Sequence, residues 1–587
     1  MASSDDDFNK FDTLSDDEYL VLIEKFYEKN ANNFAFPHLD LEKKQRLVTE
    51  LFSRLRSFNS NATHLCLKTV RLLTRDREGL DALTGSSVLE PLQKLAGLEC
   101  TKVDVNPVDV QNVIEAQKCM SNLIYMSPAV QKFYSVSGVA DAITQRIKET
   151  TATKLDDGIR FFDMRMLFLL TALNADIRQR VREKFHGLSY LFEIINQIMS
   201  SRSEPVAAAD SDVTREEILR SEIYFDKRVT LSNEDIDYLI EILKTLYNLT
   251  VDLPNLTHSY AIQEEEEEGH LMRLVSILRE LLLCYGPNDE KQMDLRNHII
   301  NLLTNMPKTC FEELLSPAVL EDENGNDEHN GKNMEAINII LRFLDHRITK
   351  TEGTKNAKDA LLPVLQLLIL MCQSNRTIRK FCRQFILPPL GDEVLNLPTE
   401  GQKLRNKLTR MMTNPNSELK TLSAKLLFVL CKESVDRLIK YTGYGNAAGL
   451  LYDFGLLGPQ HNTNKDQYSS DSDESDTENY KKIRDQYGID PVTGRVNVKR
   501  HEDPTEGWTE ERKMVEVDKL VHTLDRAMTQ GLIKPMVMDP HGNPIPAESV
   551  LQFREANLLA QHPDNLRASE SSDDEGDGGQ SQANKPK

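Results

Sequence analysis

The side chains with the plainest capacity for chemistry are cationic. Arg71 and Arg75 stand four residues apart, which on a helix puts both on one face, and Lys68 shares that face with Arg71. Such a stripe takes a carboxylate or an acidic helix through charge-assisted hydrogen bonds. Asp76 and Glu78 follow directly, so the competing reading is a stripe paired locally on a solvated surface. Asparagines form a second set: Asn122, Asn248 and Asn305 each stand before an apolar residue within an apolar run. An amide so placed either reaches a bound segment or satisfies a helix end. Serines form the third. Ser470 and Ser475 have acids three residues on, Asp473 and Glu478, and Ser571 and Ser572 share the spacing, which acidophilic kinases of the casein kinase 2 type read. A phosphate adds about −1.5 to −2 charges and would fix an acidic segment against a cluster of Arg and Lys.

Bond-making constellations are missing from the sequence. The thirteen histidines include no H-E-x-x-H, the eight cysteines no C-x-x-C, and neither a G-x-S-x-G nor a kinase motif set occurs. Gly443, Gly445 and Gly449 form G-x-G-x-x-x-G after the helical pattern SVDRLIKY, with no Lys-Ser/Thr, so they mark a helix-ending turn and not a phosphate loop. No catalytic residue, metal or cofactor is expected.

The charge narrows the partners. With 71 Lys and Arg against 92 Asp and Glu the chain carries −21, which disfavours nucleic acid, since phosphate contact needs a local cationic excess. Scattered cysteines within apolar runs read as buried small hydrophobes in a reducing compartment. The start, MASSDDDFNKFD, is too polar for a signal peptide, and apolar stretches such as MLFLLTAL from Met166 fall short of the ~20 residues that span a bilayer. A cytoplasmic protein with no transmembrane segment is expected.

These residues must be positioned by helices. Aromatics are 6% of the chain, and seven apolar helix ends followed by short polar breaks recur along it. Anchored on Arg71, Asn122, Ala172, Asn248, Asn305, Met371 and Val429, the spacings are 51, 50, 76, 57, 66 and 58 residues. Armadillo and HEAT units repeat at ~40–47, so loops are inserted; candidates follow Ser200, the Glu264–Glu268 acidic run, and Glu321. Several repeats continue into a small-Val/Ile-basic pattern, as in PAVQKF, ADIRQRV and TIRKFC. One helix pair cannot cover its own apolar face, whereas stacked pairs bury a continuous core and leave a groove. The expected fold is therefore all-α: an armadillo/HEAT-like right-handed superhelical solenoid over 1–445, a flexible acidic linker over 446–507, a C-terminal amphipathic helix within 508–540, and a disordered acidic tail over 541–587. Thr509 is the expected N-cap of that helix, with Val517, Leu520, Val521, Leu524 and Met528 as its apolar stripe and Gly531 as its stop.

FFDMRMLFLLTALNADIRQ from Phe161, FVLCKESVDRLIKYTGYGNAAGLL from Phe428 and DPVTGRV from Asp490 closely resemble the synembryn family, over a span from about Leu65 to Met538. The resemblance implies a chaperone and guanine-nucleotide exchange factor for G-protein α subunits. It implies that the groove receives the C-terminal helix of Gα, with Arg71, Arg75 and Asn122 matching groove residues and Ser470 and Ser475 matching casein kinase 2 sites. The segment beyond the linker is then expected to brace the Ras-like domain, in a complex with GDP-bound or nucleotide-free Gα lacking βγ. A general armadillo-type adaptor for extended peptides is the alternative.

Overall fold

The computed structural model describes residues 14–37, 39–55, 58–99, 102–104, 107–150, 155–202, 229–251, 261–317, 328–354, 356–456, 478–496, 507–530, 536–538 and 544–546. The chain divides into two compact units, 1–496 and 497–587.

The first unit opens with α1 (Asp16–Asn30), α2 (Leu41–Arg54), α3 (Ser60–Leu73) and α4 (Ser86–Leu95). A two-stranded hairpin, β1 (Leu98–Glu99) with β2 (Lys102–Val103), precedes α5 (Val110–Met126), α6 (Pro128–Val136) and α7 (Val139–Thr150). Next come α8 (Asp157–Leu173), α9 (Ala175–Gln179), α10 (Gly187–Arg202), α11 (Asn233–Thr250), α12 (Ala261–Leu283) and α13 (Asp289–Leu303). A small sheet of β3 (Ser316–Pro317), β4 (Glu328–His329) and β5 (Lys332–Asn333) leads into α14 (Glu335–Thr351), α15 (Ala357–Ser374) and α16 (Arg376–Ile386). The unit finishes with α17 (Leu404–Met411), α18 (Ser417–Leu430), α19 (Val435–Thr442), α20 (Tyr444–Asp453) and α21 (Glu478–Tyr487).

The packing order is that of a solenoid. One layer is a ladder in which α1, α3, α5, α8, α11, α13, α15, α18 and α20 each pack on the next. The second layer runs α2, α4, α7, α10, α12, α14, with the turn at β1 joining α4 to α7. Among the described residues a main apolar core threads between the layers from Tyr19 to Val496, with a small separate cluster of Val113, Ile114, Leu155 and Ile159 beside it. The small-Val/Ile-basic pattern forms the short connector helices α6, α9 and α16, whose N-caps Ser127, Asn174 and Asn375 each accept a backbone N–H from the first turn. That third helix, together with inserted loops, is why the spacings exceed those of a bare helix pair.

Three sequence expectations change. The Glu264–Glu268 run, read as a loop, lies inside α12. Acidic residues near a helix N-terminus face the positive end of its dipole, so a run of Glu there is compatible with helix. The insertion after Ser200 lies mostly outside the described residues, but Asn330-Gly331 near the end of the third insertion makes the tight turn between β4 and β5, both residues at positive φ. Finally, 446–507 is not linker throughout: α20, α21 and the loop to Val496 belong to the first unit. Among the described residues one helix, Ala357–Ser374, is long and apolar enough to cross a membrane by length and composition. It is a rung of the ladder, with Leu365, Leu367, Leu368 and Cys372 fully buried.

Gly443 secures that C-terminal closure. It separates α19 from α20 at φ +75, and a Cβ there would stand 2.8 Å from the Thr493 carbonyl carbon. The Tyr444 N–H donates to the Pro491 carbonyl at 2.8 Å and the Gly445 N–H to that of Val492 at 2.9 Å, so the glycine cluster seats the DPVTGRV loop. The seven described cysteines are all free and buried; burial pushes the thiols of Cys66, Cys284 and Cys431 up to about 12.

In the second unit, α22 (Glu510–Thr529) is capped by Thr509, whose hydroxyl accepts the Arg512 N–H, as the sequence indicates. None of its residues is buried, and Met514, Val515, Val517 and Leu520 are all more than half exposed. Strands β6 (Met536–Met538) and β7 (Pro544–Pro546) pair antiparallel beyond it.

Gly443→Ala is expected to destabilise the chain by roughly 1–3 kcal/mol, from a backbone region that only glycine occupies readily plus the contact with Thr493. Urea unfolding measures it, and a change below about 0.5 kcal/mol would mean the loop is not seated as described.

Candidate functional site

Helix α3 ends at Leu73, and Thr74 caps it. Arg75 therefore lies past the helix, and the two arginines diverge where the i, i+4 reading put them side by side. Arg71 Nε donates to Glu115 Oε2 on α5 at 2.8 Å. Arg75 Nη1 donates to the carbonyl of Ala31, the C-cap of α1, at 2.8 Å, and its guanidinium lies 5.4 Å from the Phe34 ring. Neither takes the acids that follow in sequence. Asp76 is held instead by Lys44 Nζ at 2.7 Å and the Phe36 N–H at 3.0 Å. Asn122 joins the pair: its amide donates to Thr74 Oγ1 at 2.9 Å, so all three predicted residues converge on the end of α3.

The other asparagines repeat that device. Asn248 donates to Thr171 Oγ1 at 3.1 Å and the Phe168 carbonyl at 3.0 Å; Asn305 donates to Thr250 Oγ1 at 3.2 Å and the Tyr247 carbonyl at 3.1 Å. Each amide ties a ladder helix to the one before it. The asparagines are thus tie-points between helices, each committing its amide nitrogen to the preceding rung.

Beneath Asn122 lies a charged arrangement that occurs twice. Glu115 is buried, and its carboxylate takes Arg71 from the preceding rung and Lys118 at 2.7 Å from its own. Lys118 Nζ also lies 5.6 Å from the Phe162 ring on α8. Glu241 on α11 is buried likewise, taking Arg165 from the preceding rung at 3.0 Å and Lys244 from its own at 2.6 Å, with Lys244 Nζ 4.7 Å from the Phe168 ring. In both helices the order is Glu, Lys, Asn and an exposed apolar residue at i, i+3, i+7 and i+10: Glu115, Lys118, Asn122, Tyr125, and Glu241, Lys244, Asn248, Val251. That spacing is one helix face. Each triad sets two cations over one carboxylate, so each leaves a net positive charge on an acidic chain. The next rung substitutes His298 for the glutamate; burial, with Lys244 nearby, lowers its pKa to about 4.

The repeated EAQKCMSN at Glu115 and EILKTLYN at Glu241 would have revealed Glu115, Lys118, Glu241 and Lys244, whereas Arg165 lies outside both strings. Looking for cations alone hides them, because the carboxylate is the fixed point of each group. Ser470, Ser475, Ser571 and Ser572 lie outside the described residues. Among the described residues no three His, Cys, Asp or Glu come together as a metal site.

A face of this kind offers charge-assisted hydrogen bonds beside exposed apolar side chains. Comparison with known proteins identifies the chain that carries it: the family model described as guanine nucleotide exchange factor synembryn matches residues 66–543. The chain belongs to the synembryn family. It is 35% identical to the chaperone Ric-8A of Gallus gallus across 91% of this chain and 94% of that protein, and 35% identical to the Xenopus tropicalis chaperone across 94% and 98%. The solved structure of SYS-1 aligns over 72% of this chain and 71% of that one, with 14% identity and a TM-score of 0.43. As a synembryn, the chain is a guanine-nucleotide exchange factor and chaperone acting on G-protein α subunits.

Glu115→Gln should cost about 1.5–3 kcal/mol, since both charge-assisted bonds weaken while the site stays buried. A double-mutant cycle with Arg71→Met is expected to show coupling, and simple additivity would contradict the pairing. His298 supplies a pH signature. Its folded pKa of about 4 lies below the ~6.5 of an exposed histidine, so the unfolded chain takes the proton first. Its contribution is complete above about pH 6.5 and is lost as pH falls toward 4, at up to about 1.4 kcal/mol per pH unit. His298→Gln should flatten the stability difference between pH 7 and pH 5 in urea unfolding, and an unchanged slope would exclude this residue.

Proposed function

We propose that the ladder face from Arg75 to Val251 receives the C-terminal helix of the Gα subunit. The observation that carries the reading is the doubled triad: cations held from below by Glu115 and Glu241, with Tyr125 and Val251 exposed beside them. A helix ending in a carboxylate and bearing acids on one side and apolar residues on the other suits such a surface. Arg71, Arg75 and Asn122 lie at one end of it, where the free carboxylate would be read. The uncovered apolar residues of α22 supply a second contact, to the Ras-like domain.

Exchange on this account needs no covalent step. The chain binds nucleotide-free Gα better than the GDP-bound form, and only that difference in affinity drives release. Ser470 and Ser475, phosphorylated by a casein kinase 2-type kinase, fasten the acidic segment and raise activity. The protein works in the cytoplasm on Gα without βγ and reaches the plasma membrane or cell cortex through Gα.

The purified chain is expected to speed GDP release from a Gα subunit, and Gα lacking its last few residues should not bind. Arg71→Ala with Arg75→Ala should weaken binding by about a hundredfold or more, as the loss of charge-assisted bonds of roughly 1.5–3 kcal/mol each requires. Undiminished affinity for truncated Gα would remove the ladder face from the mechanism. The same assay on Ser470→Ala with Ser475→Ala, treated with the kinase, reads the serines: full activity there would exclude them.

A further inference from the structure

Away from the ladder face, a cavity of about 560 Å³ opens between α14, the chain leaving α16, and the first turn of α17. Two of its cations form no ion pair among the described residues, and Arg405 feels the Glu393 carboxylate only at longer range. Arg405 is only 6% exposed, yet its Nε has no hydrogen-bond partner and its guanidinium forms no ion pair among the described residues. Arg342 has a single side-chain bond, from Nε to the neutral Asn338 Oδ1 at 3.2 Å. The acids in the wall are committed elsewhere. Asp345 takes Lys407 Nζ at 2.6 Å, and Glu393 takes Lys403 Nζ at 2.6 Å and the Gly391 N–H at 2.9 Å. Burial opposes ionisation of Glu393, but those donors outweigh it and hold its pKa at about 2, so it remains a carboxylate bound to Lys403.

A third donor set faces the same space. Helix α17 begins with Lys403 as its N-cap, a residue that has no side-chain acceptor to offer, and no side chain caps the first turn. Leu404 and Arg405, at its first two positions, line the cavity. An uncapped helix start joins free amide N–H groups to the positive end of the dipole, the usual seat of a phosphate. Phe385, Ile386 and Pro388 give the opposite wall an apolar surface. A buried guanidinium without a partner is costly, and natural folds seldom keep one without a use. The volume is that of sites for small organic ligands.

We propose that this cavity binds a small organic phosphate, its oxygens taken by Arg342, Arg405 and the N-terminus of α17, its carbon body resting on Phe385, Ile386 and Pro388. Phosphate suits the site better than a single carboxylate because two guanidiniums and a helix start converge and a dianion answers all three. The proposal is independent of the Gα reading, since it concerns another face and is measured without Gα.

The experiment titrates the full-length chain with phenyl phosphate, with inorganic phosphate, and with sodium chloride at matched ionic strength, following Tm and calorimetric heat. Saturable binding of phenyl phosphate, weaker binding of inorganic phosphate and none beyond the salt response are expected. Arg405→Met should lower the affinity by about tenfold or more while leaving the ligand-free Tm equal or higher, because the unpaired buried charge is gone. A lower ligand-free Tm in that variant would mean that Arg405 is structural and overturn the assignment. Arg342→Gln, at an exposed and easily tolerated position, is the second variant: wild-type affinity there overturns the proposal. So does the absence of saturable binding in the unaltered chain. Binding to phosphatidylcholine vesicles carrying phosphoinositide, with none to phenyl phosphate, would reassign the cavity to a lipid headgroup and equally overturn a soluble ligand.

Discussion

Glu115 and Glu241 each lie buried under two cations, one from their own helix and one from the rung before, and the ladder's alignment hangs on that arrangement. A carboxylate taken from water must be surrounded by donors or it destabilises the fold. The donors here arrive from fixed heights on neighbouring helices, so a one-turn slip of α5 against α3, or of α11 against α8, would strand a buried charge. Hydrophobic packing alone tolerates such slips far better, because it has little direction. Asp163 applies the same constraint across the layers: Arg146, fully buried on α7, grips it from one side and Gln117 on α5 donates to it at 2.7 Å from another. Asn122, Asn248 and Asn305 then add a neutral tie at the helix ends.

The arrangement that fixes register also prepares a surface. Lys118 and Lys244 are held by carboxylates below and aromatic rings beside them, so little side-chain freedom is left to lose when a partner arrives. The chain's net charge is −21, yet this strip carries two cations per acid, so an acidic segment meets local attraction inside a repulsive field. Under the proposed reading, repulsion elsewhere would discourage unspecific acidic partners while the strip admits the one that fits. For an exchange factor that is the useful form of affinity, since only preference for one state of the partner moves an equilibrium.

A solenoid must also be closed at its ends, where a rung has no further neighbour. At the C-terminal end the loop 488–496 does this. Val496 is buried and its N–H donates to the Val394 carbonyl at 2.8 Å, while Tyr480 of α21 is buried beneath Lys440 at 4.5 Å. Gly443 and Gly494, both at positive φ, let the two backbones approach closely enough to bond. The cluster that resembled a phosphate loop is thus a clasp.

Much of this was written in the sequence. Apolar runs at helical spacing, polar breaks and N-cap residues specify helix, turn and repeat locally, within a few residues, and Thr509 with its first-turn acids placed α22 correctly. Arg71, Arg75 and Asn122 were grouped by the family resemblance alone, and they lie on or beside the consecutive rungs α3 and α5. The partners of those residues were not legible. Arg71 reaches Glu115 across 44 residues and Arg165 reaches Glu241 across 76, and sequence proximity favoured Asp76, which tertiary packing gives to Lys44 instead. The empty-handed Arg405 was equally invisible, since whether a charge is paired depends on every element that surrounds it. Local pattern sets which helices form, because propensity and capping act over one turn; which charges meet is settled only when distant helices stack and water is driven from between them.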